Sequence, residues 1–227
     1  MGDVAVVIGA SGGIGAALLD GLRARGRFRA VVGLSRADLD LRDDTSIARA
    51  ADHVAGIGAP ALILVATGML HGPGVQPEKT IRALDGDAMA ASFAVNAIGP
   101  ALILRHFLPL MPRDRRAVFA VLSAKVGSIA DNRLGGWYAY RASKSALNQI
   151  LRTLAIEVAR SRPEAIVVGL HPGTVASDLS RPFRPDPTAD GVFQPEESAA
   201  HLLRVLNGLS AADTGGVFAW DGSPIPA

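Results

Sequence analysis

The 227-residue sequence contains no cysteine, which excludes disulfide frameworks, thiolate metal sites and thiol nucleophiles while leaving the redox compartment open. Aromatic residues are sparse at 5%, and the formal charge is only +2, with the small arginine excess scattered rather than clustered. No nucleic-acid partner is expected. Long hydrophobic runs are also missing: the best candidates, 61–66 and 101–104, fall far short of the roughly 20 residues that span a bilayer. The first apolar run, 4–8, is too short for a secretory leader core and enters a glycine-rich turn, so it reads as a strand. Elimination leaves a cytoplasmic protein with no membrane partner. No His, Asp or Glu cluster has metal-ligand spacing, so no metal is expected. No repeat, low-complexity tract or linker divides the chain, so 1–227 is expected to form one domain.

What is present is a packed globular composition, 49% hydrophobic and 19% charged. Short aliphatic runs at 4–8, 30–34, 38–40, 61–65, 117–122, 166–171 and 216–220 alternate with helix-like segments at 14–25, 43–55, 86–110, 139–160 and 195–206. This alternation predicts an α/β, doubly wound domain with a seven-stranded parallel sheet flanked by helices on both faces. Residues 178–194 carry Pro182, Pro185, Pro187 and Gly191. A loop this long is expected to act as a lid over substrate. Its Arg181 and Arg184 could meet an acidic substrate, although solvated loop arginines are the simpler reading.

Gly9, Gly13 and Gly15, with Ser11 and Ile14 between them, lie where the first strand turns into an amphipathic helix. Missing Cβ atoms let backbone approach a pyrophosphate, and the helix start supplies amide donors and a favourable dipole. The spacing is G-x-x-x-G-x-G rather than G-x-G-x-x-G, and it resembles the glycine pattern of the short-chain dehydrogenases/reductases. That resemblance runs over essentially the whole chain and implies a Rossmann-type fold binding a nicotinamide dinucleotide. At the end of the second strand, Ser35 and Arg36 replace the acid that would hold the ribose hydroxyls of NAD. A guanidinium suits a 2′-phosphate, so NADP(H) is expected in preference to NAD(H). The competing reading is a solvated arginine offset by Asp38. By resemblance, Asp40 and Leu41 meet the adenine edge, and Ala66, Thr67 and Gly68 line the ribose. The family's two asparagines there are missing, with Val65 and Ala66 in their places, so the central sheet must be braced from elsewhere.

Tyr140 and Lys144 stand four apart in a helical segment, on one face. An ammonium beside a phenol favours the phenolate, lowering a pKa near 10 toward a range useful for proton transfer. The segment from Tyr138 to Asn148 resembles the family's active-site helix, which makes Tyr140 the catalytic phenol and gives Lys144 a second role on the nicotinamide ribose. Asn96 resembles the asparagine that holds a water of the proton relay, and a structural amide is the alternative. The family places a hydroxyl donor after the fifth strand. Here that position falls on Ala124, with Ser123 one residue early, so Ser123 serves only if the strand end bends; Ser128 is a further candidate. Pro172, Gly173, Thr174, Val175 and Ser177 resemble the loop that seats the nicotinamide, whereas His171 reads as packing. Gly127-Ser128-Ile129 and Gly136-Trp137-Tyr138 bring the chain nearest to the sniffer-type and C-factor-like carbonyl reductases. The resemblance implies reversible hydride transfer to a small-molecule carbonyl or from an alcohol. A cofactor-binding regulatory or signalling protein is the rival, motivated by Ala124. Helices 86–110 and 139–160 are apolar enough to pair in a homodimer or homotetramer.

Overall fold

The computed structural model describes residues 3–183, 186 and 188–227. In chain order the strands are β1 (Val4–Ile8), β2 (Ala30–Leu34), β3 (Pro60–Val65), β4 (Ala117–Leu122), β5 (Ala165–His171), β6 (Thr174–Val175), β7 (Val192–Phe193) and β8 (Val217–Ala219). Six of them form one parallel sheet in the order β2-β1-β3-β4-β5-β8, while β6 and β7 pair separately. The helices are α1 (Gly13–Arg25), α2 (Asp44–Ile57), α3 (Gly86–Phe93), α4 (Gly99–Phe107), α5 (Tyr138–Ala159) and α6 (Pro195–Gly208). Alternate residues of β1 point to opposite faces. Val4, Val6 and Ile8 join Ile47, Ile103, Phe107, Leu147 and Leu151 in one cluster, under α2, α4 and α5. Ala5 and Val7 join Leu18, Leu22, Leu202 and Leu203 in the other, under α1 and α6. Both faces of the sheet are thereby covered, which is why its strands read as continuous apolar runs.

The expected strand at 38–40 does not form, and the parallel sheet has six strands rather than seven. The reason is local. Ser35 and Asp38 close a turn in which the Asp38 carboxylate accepts from the Ser35 amide and hydroxyl, both at 2.8 Å. The amides of Asp38 and Leu39 both turn back to the Ser35 carbonyl, so they are lost to any ladder.

Gly86–Leu110 is the one segment among the described residues long and apolar enough to cross a bilayer. Here its Ile103, Leu104 and Phe107 lie buried in the first cluster. It is not a regular helix throughout. Asp85 caps its start by accepting from the Ala88 amide at 2.8 Å, and a π-helical turn, Ala94–Ile98, joins α3 to α4. The order of strands reverses between β1 and β3, and the carboxyl ends of strands at such a switch point, here beside the start of α1, are where open α/β sheets bind ligands.

Candidate active site

At this switch point the chain turns on glycine backbone. Gly9 has φ +90°, and a Cβ there would lie 2.9 Å from the Ala66 carbonyl oxygen. A Cβ on Gly15 would meet the Gly9 carbonyl oxygen at 2.1 Å, so α1 can pack this closely on β1 only with glycine. The first turn of α1 has no side-chain cap and no acidic residue, which leaves the helix start to an external anion. Ser11, Gly13 and Ile14 belong to this same turn, and Gly13 faces Pro195 of α6 at 3.4 Å from its would-be Cβ. Thr67, beside Gly9, has a buried hydroxyl oxygen without a partner. An orphaned hydroxyl, bare helix amides and a glycine cradle together fit a dinucleotide.

At the end of β2, Asp38 is committed to Ser35, and its carboxyl is held below the usual range by those hydrogen bonds. Arg36 is exposed and makes no hydrogen bond or ion pair with a described residue. Asp40 accepts from the Arg42 amide at 2.9 Å, a bond that lowers its carboxyl. Leu41 packs inward, against Gly99 and the first cluster. On the far side, the Pro172 carbonyl accepts from the Ser198 hydroxyl at 2.8 Å. Gly173 has φ +80° beneath Phe193 and Trp220. Thr174 and Val175 form β6, and Ser177 closes a turn with Ser180.

Between these two halves stand Asn96, Tyr140 and Lys144. Asn96 occupies the π turn, and its amide makes both hydrogen bonds to Met69, donating to the carbonyl and accepting from the N–H at 2.8 Å each. It also donates to the hydroxyls of Ser92 and Ser143, at 3.2 and 3.1 Å. The turn after β3 is thus braced by Asn96. A Cβ on Gly68 would sit 3.7 Å from Asn96 Oδ1 and 3.8 Å from Lys144 Nζ, so Gly68 lies between them. Ser92, Ser143 and Met69 were not legible as site residues. Ser92 and Asn96 share a helix face four apart, a weak signal, and the backbone role of Met69 leaves no trace in sequence.

Lys144 is buried and donates to the Leu122 carbonyl at 2.8 Å, with Nζ 5.9 Å from the centre of the Tyr140 ring. In the ligand-free chain the surroundings oppose the lowering that the ammonium is expected to give the phenol. Burial pushes Tyr140 up to about 12 and Lys144 down to about 8, because each charged form loses water. The Tyr140 hydroxyl has no hydrogen-bond partner among the described residues.

The serine expectation also needs correction. Ser123 is buried and its hydroxyl donates to Asn148 Oδ1 at 2.6 Å, two turns beyond Tyr140 along α5. β4 ends without a bulge, so Ser123 keeps the face opposite to Ala124. Ser128 is directed at the C-terminal residue, donating to the Ala227 carbonyl at 3.4 Å and accepting from the Asp131 amide. Neither reaches Tyr140. In the expected lid, Phe183 packs against Trp137 and His71 at ring-centre distances of 5.3 and 5.8 Å. Arg181 pairs with Asp178 at 2.6 Å, whereas Arg184, Pro185 and Pro187 lie outside the described residues.

Glycine cradle, strand order and the Tyr140–Lys144 helix occur together in one family, and residues 3–188 match the short chain dehydrogenases. The chain belongs to that family. It is 35% identical over 139 residues to C-signal of Myxococcus xanthus, covering 61% of this chain and 78% of that protein. It is 31% identical over 147 residues to the 1-hydroxy-2-glutathionyl-2-methyl-3-butene dehydrogenase of Rhodococcus sp. strain AD45. That match covers 65% of this chain and 62% of the dehydrogenase, less than two thirds of its length. The NADPH-bound carbonyl reductase from chicken fatty liver superposes with a TM-score of 0.84 at 24% identity, over 99% of this chain and 94% of that one. A Burkholderia multivorans short-chain dehydrogenase/reductase with bound NADP gives 0.83 at 25% identity, over the whole of both chains. The carbonyl reductase Sniffer of D. melanogaster gives 0.81 at 20% identity, again over both whole chains. The expected kinship with C-factor-like and sniffer-type short-chain dehydrogenases is borne out, and with it membership of an oxidoreductase family.

Proposed function

We propose that this short-chain dehydrogenase is an NADP(H)-dependent carbonyl reductase, acting on a small carbonyl compound or the corresponding alcohol with Tyr140 as the proton-transferring group. The observation that carries this reading is the unpartnered Tyr140 hydroxyl beside the buried Lys144, next to a glycine cradle with no acid at the helix start. When bound, the dinucleotide supplies or accepts the hydride. The backbone from Gly9 to Gly15 would hold its pyrophosphate, Arg36 its 2′-phosphate and the Thr67 hydroxyl its ribose side. Two similar structures carry NADPH or NADP, which supports that choice.

Tyr140 donates its proton to the substrate carbonyl oxygen in reduction and takes it back in oxidation. A phenol held up at about 12 keeps its proton until the substrate oxygen gains negative charge, which suits reduction near neutral pH. Lys144 has three donors and uses one on Leu122, leaving two for a ribose hydroxyl and for the phenolate as it forms. Asn96 orients the machinery, tying Met69 and Ser143 to the π turn. The single domain 1–227, a lid at 178–194 and a cytoplasmic location belong to the same proposal. So does self-association through Ile98 and Ile156, which are exposed on the α4 and α5 sides.

Loss of NADPH absorbance with a panel of small aldehydes and ketones tests the reading. Tyr140→Phe should lower kcat by about a hundredfold or more with NADPH affinity retained. A second reading, a cofactor-binding regulatory protein, is favoured by Ala124 at the hydroxyl position and by the engagement of Ser123 with Asn148. NADPH binding with no turnover on any carbonyl would select it.

A further inference from the structure

Glu78 is the one buried acidic side chain among the described residues, 5% exposed on the segment between β3 and α3. Carboxylates are rarely buried unless hydrogen bonds compensate their lost hydration. Its partners lie at the entry to α5. Oε2 accepts from the Ala139 amide at 3.2 Å, and the Glu78 backbone carbonyl accepts from the Trp137 amide at 2.5 Å. Oε1 is buried with no hydrogen-bond partner, so the full capacity of the carboxylate is not used there.

The helix it meets has no cap of its own. Trp137 occupies the N-cap position without a side-chain acceptor, and the first turn of α5 contains no acid. The approach is unusual as well: Gly135, Gly136 and Trp137 have φ of 63°, 66° and 53°. Trp137 is the only non-glycine residue with positive φ among the described residues, a conformation that is strained for a bulky side chain and needs surrounding contacts to persist. Its indole lies edge-on to the Tyr140 ring, 6.2 Å between centres, and also packs on Phe183.

We propose that Glu78 is a positioning residue for Tyr140: from 61 residues away its carboxylate caps the active-site helix at Ala139, next to the bond that its backbone carbonyl accepts from the left-handed Trp137, and this fixes the helix entry so that the indole backs the phenol. The inference rests on the reading of Tyr140 as proton donor. The capping itself is independent of it.

Three variants and two readouts test this. Glu78→Ala removes the acceptor, and Glu78→Gln keeps an acceptor oxygen in nearly the same shape. Glu78→Asp withdraws the carboxylate by one methylene. In Glu78→Ala, kcat with NADPH and a carbonyl substrate should fall about tenfold or more, with NADPH affinity within about threefold of wild type. Glu78→Gln should recover kcat to within about threefold, and Glu78→Asp should fall between. In a Trp220→Phe background Trp137 is the only tryptophan, so its emission reports the indole directly. That emission should shift in Glu78→Ala and Glu78→Asp and stay in place in Glu78→Gln. Native kcat with unshifted emission in Glu78→Ala overturns the proposal, and so does a loss of kcat matched by an equal loss of NADPH affinity in both Ala and Gln variants. Should Glu78→Ala fail to fold, unshifted emission and native kcat in Glu78→Asp overturn it instead. If the wild type turns over no carbonyl, the emission measurements still decide whether Glu78 holds Trp137.

Discussion

Arg36 has an aspartate two residues away, and its value to a 2′-phosphate depends on what that aspartate does. Because Asp38 is locked onto Ser35, it forms no ion pair with Arg36, and the exposed guanidinium stays open to a ligand. Arg36→Asp should therefore shift the ratio of kcat/KM for NADPH over NADH by about a hundredfold toward NADH. An unchanged ratio would remove the phosphate-binding role. The two serine-region residues separate in the same way. Ser123→Ala should leave kcat within about threefold while costing about 1 kcal/mol in chemical denaturation, since its hydroxyl serves Asn148. Ala124→Ser should raise kcat about tenfold by returning a donor for the developing oxyanion, measured on the best substrate of the carbonyl panel. The sequence showed that a hydroxyl was displaced by one residue; which face it occupied depended on β4 ending without a bulge.

At the scale of elements, the run from Gly86 to Leu110 is legible as helix from its apolar periodicity, and the π turn inside it is not. Periodicity reports which face is buried, and a single widened turn leaves that face nearly intact. Yet that turn carries Asn96, whose amide satisfies both backbone groups of Met69. Asn96→Ala would leave that buried N–H and C=O without their partner, so stability should drop by about 3 kcal/mol. Urea denaturation measures this, and a drop below about 0.5 kcal/mol would show that the brace lies elsewhere. The failed strand at 38–40 has a matching cause. Its β-like alternation competes with a serine–aspartate turn, and side-chain hydrogen bonds close at hand win over a distant ladder.

For the whole molecule, buried titratable groups shape stability against pH in the ligand-free protein. His171 is partly buried at the end of β5, and burial, with Lys125 nearby, lowers it from 6.5 to about 4. Between these values the unfolded chain binds the proton and the folded chain does not. Stability therefore falls as pH drops from 6.5 to 4, by about 3 kcal/mol at most. His171→Asn should flatten that acid limb in denaturation curves. Lys144, lowered from 10.5 to about 8, acts at the other end. The unfolded chain holds the proton longer, so stability rises with pH from 8 upward. Above 10 the Tyr140 phenol, raised to about 12, opposes it. A rise between pH 8 and 10 that persists in Lys144→Met would place its origin elsewhere.

The resemblance to the short-chain dehydrogenases chose Tyr140 over Tyr138 as the catalytic phenol; local pattern alone determined the α/β alternation, six of the seven expected parallel strands to within one residue at either end, the glycine turn and the shared helix face of Tyr140 and Lys144. Each of these is encoded by spacing within a few residues: a period of two or of 3.6, a missing Cβ, or two side chains four apart. Only the tertiary structure decided which buried polar groups meet. Ser123 reaches Asn148 across 25 residues, Met69 reaches Asn96 across 27 and Ala139 reaches Glu78 across 61. The physical reason is that a buried donor or acceptor must find a partner wherever the packed chain supplies one, and that choice is made by the apolar core bringing distant segments together.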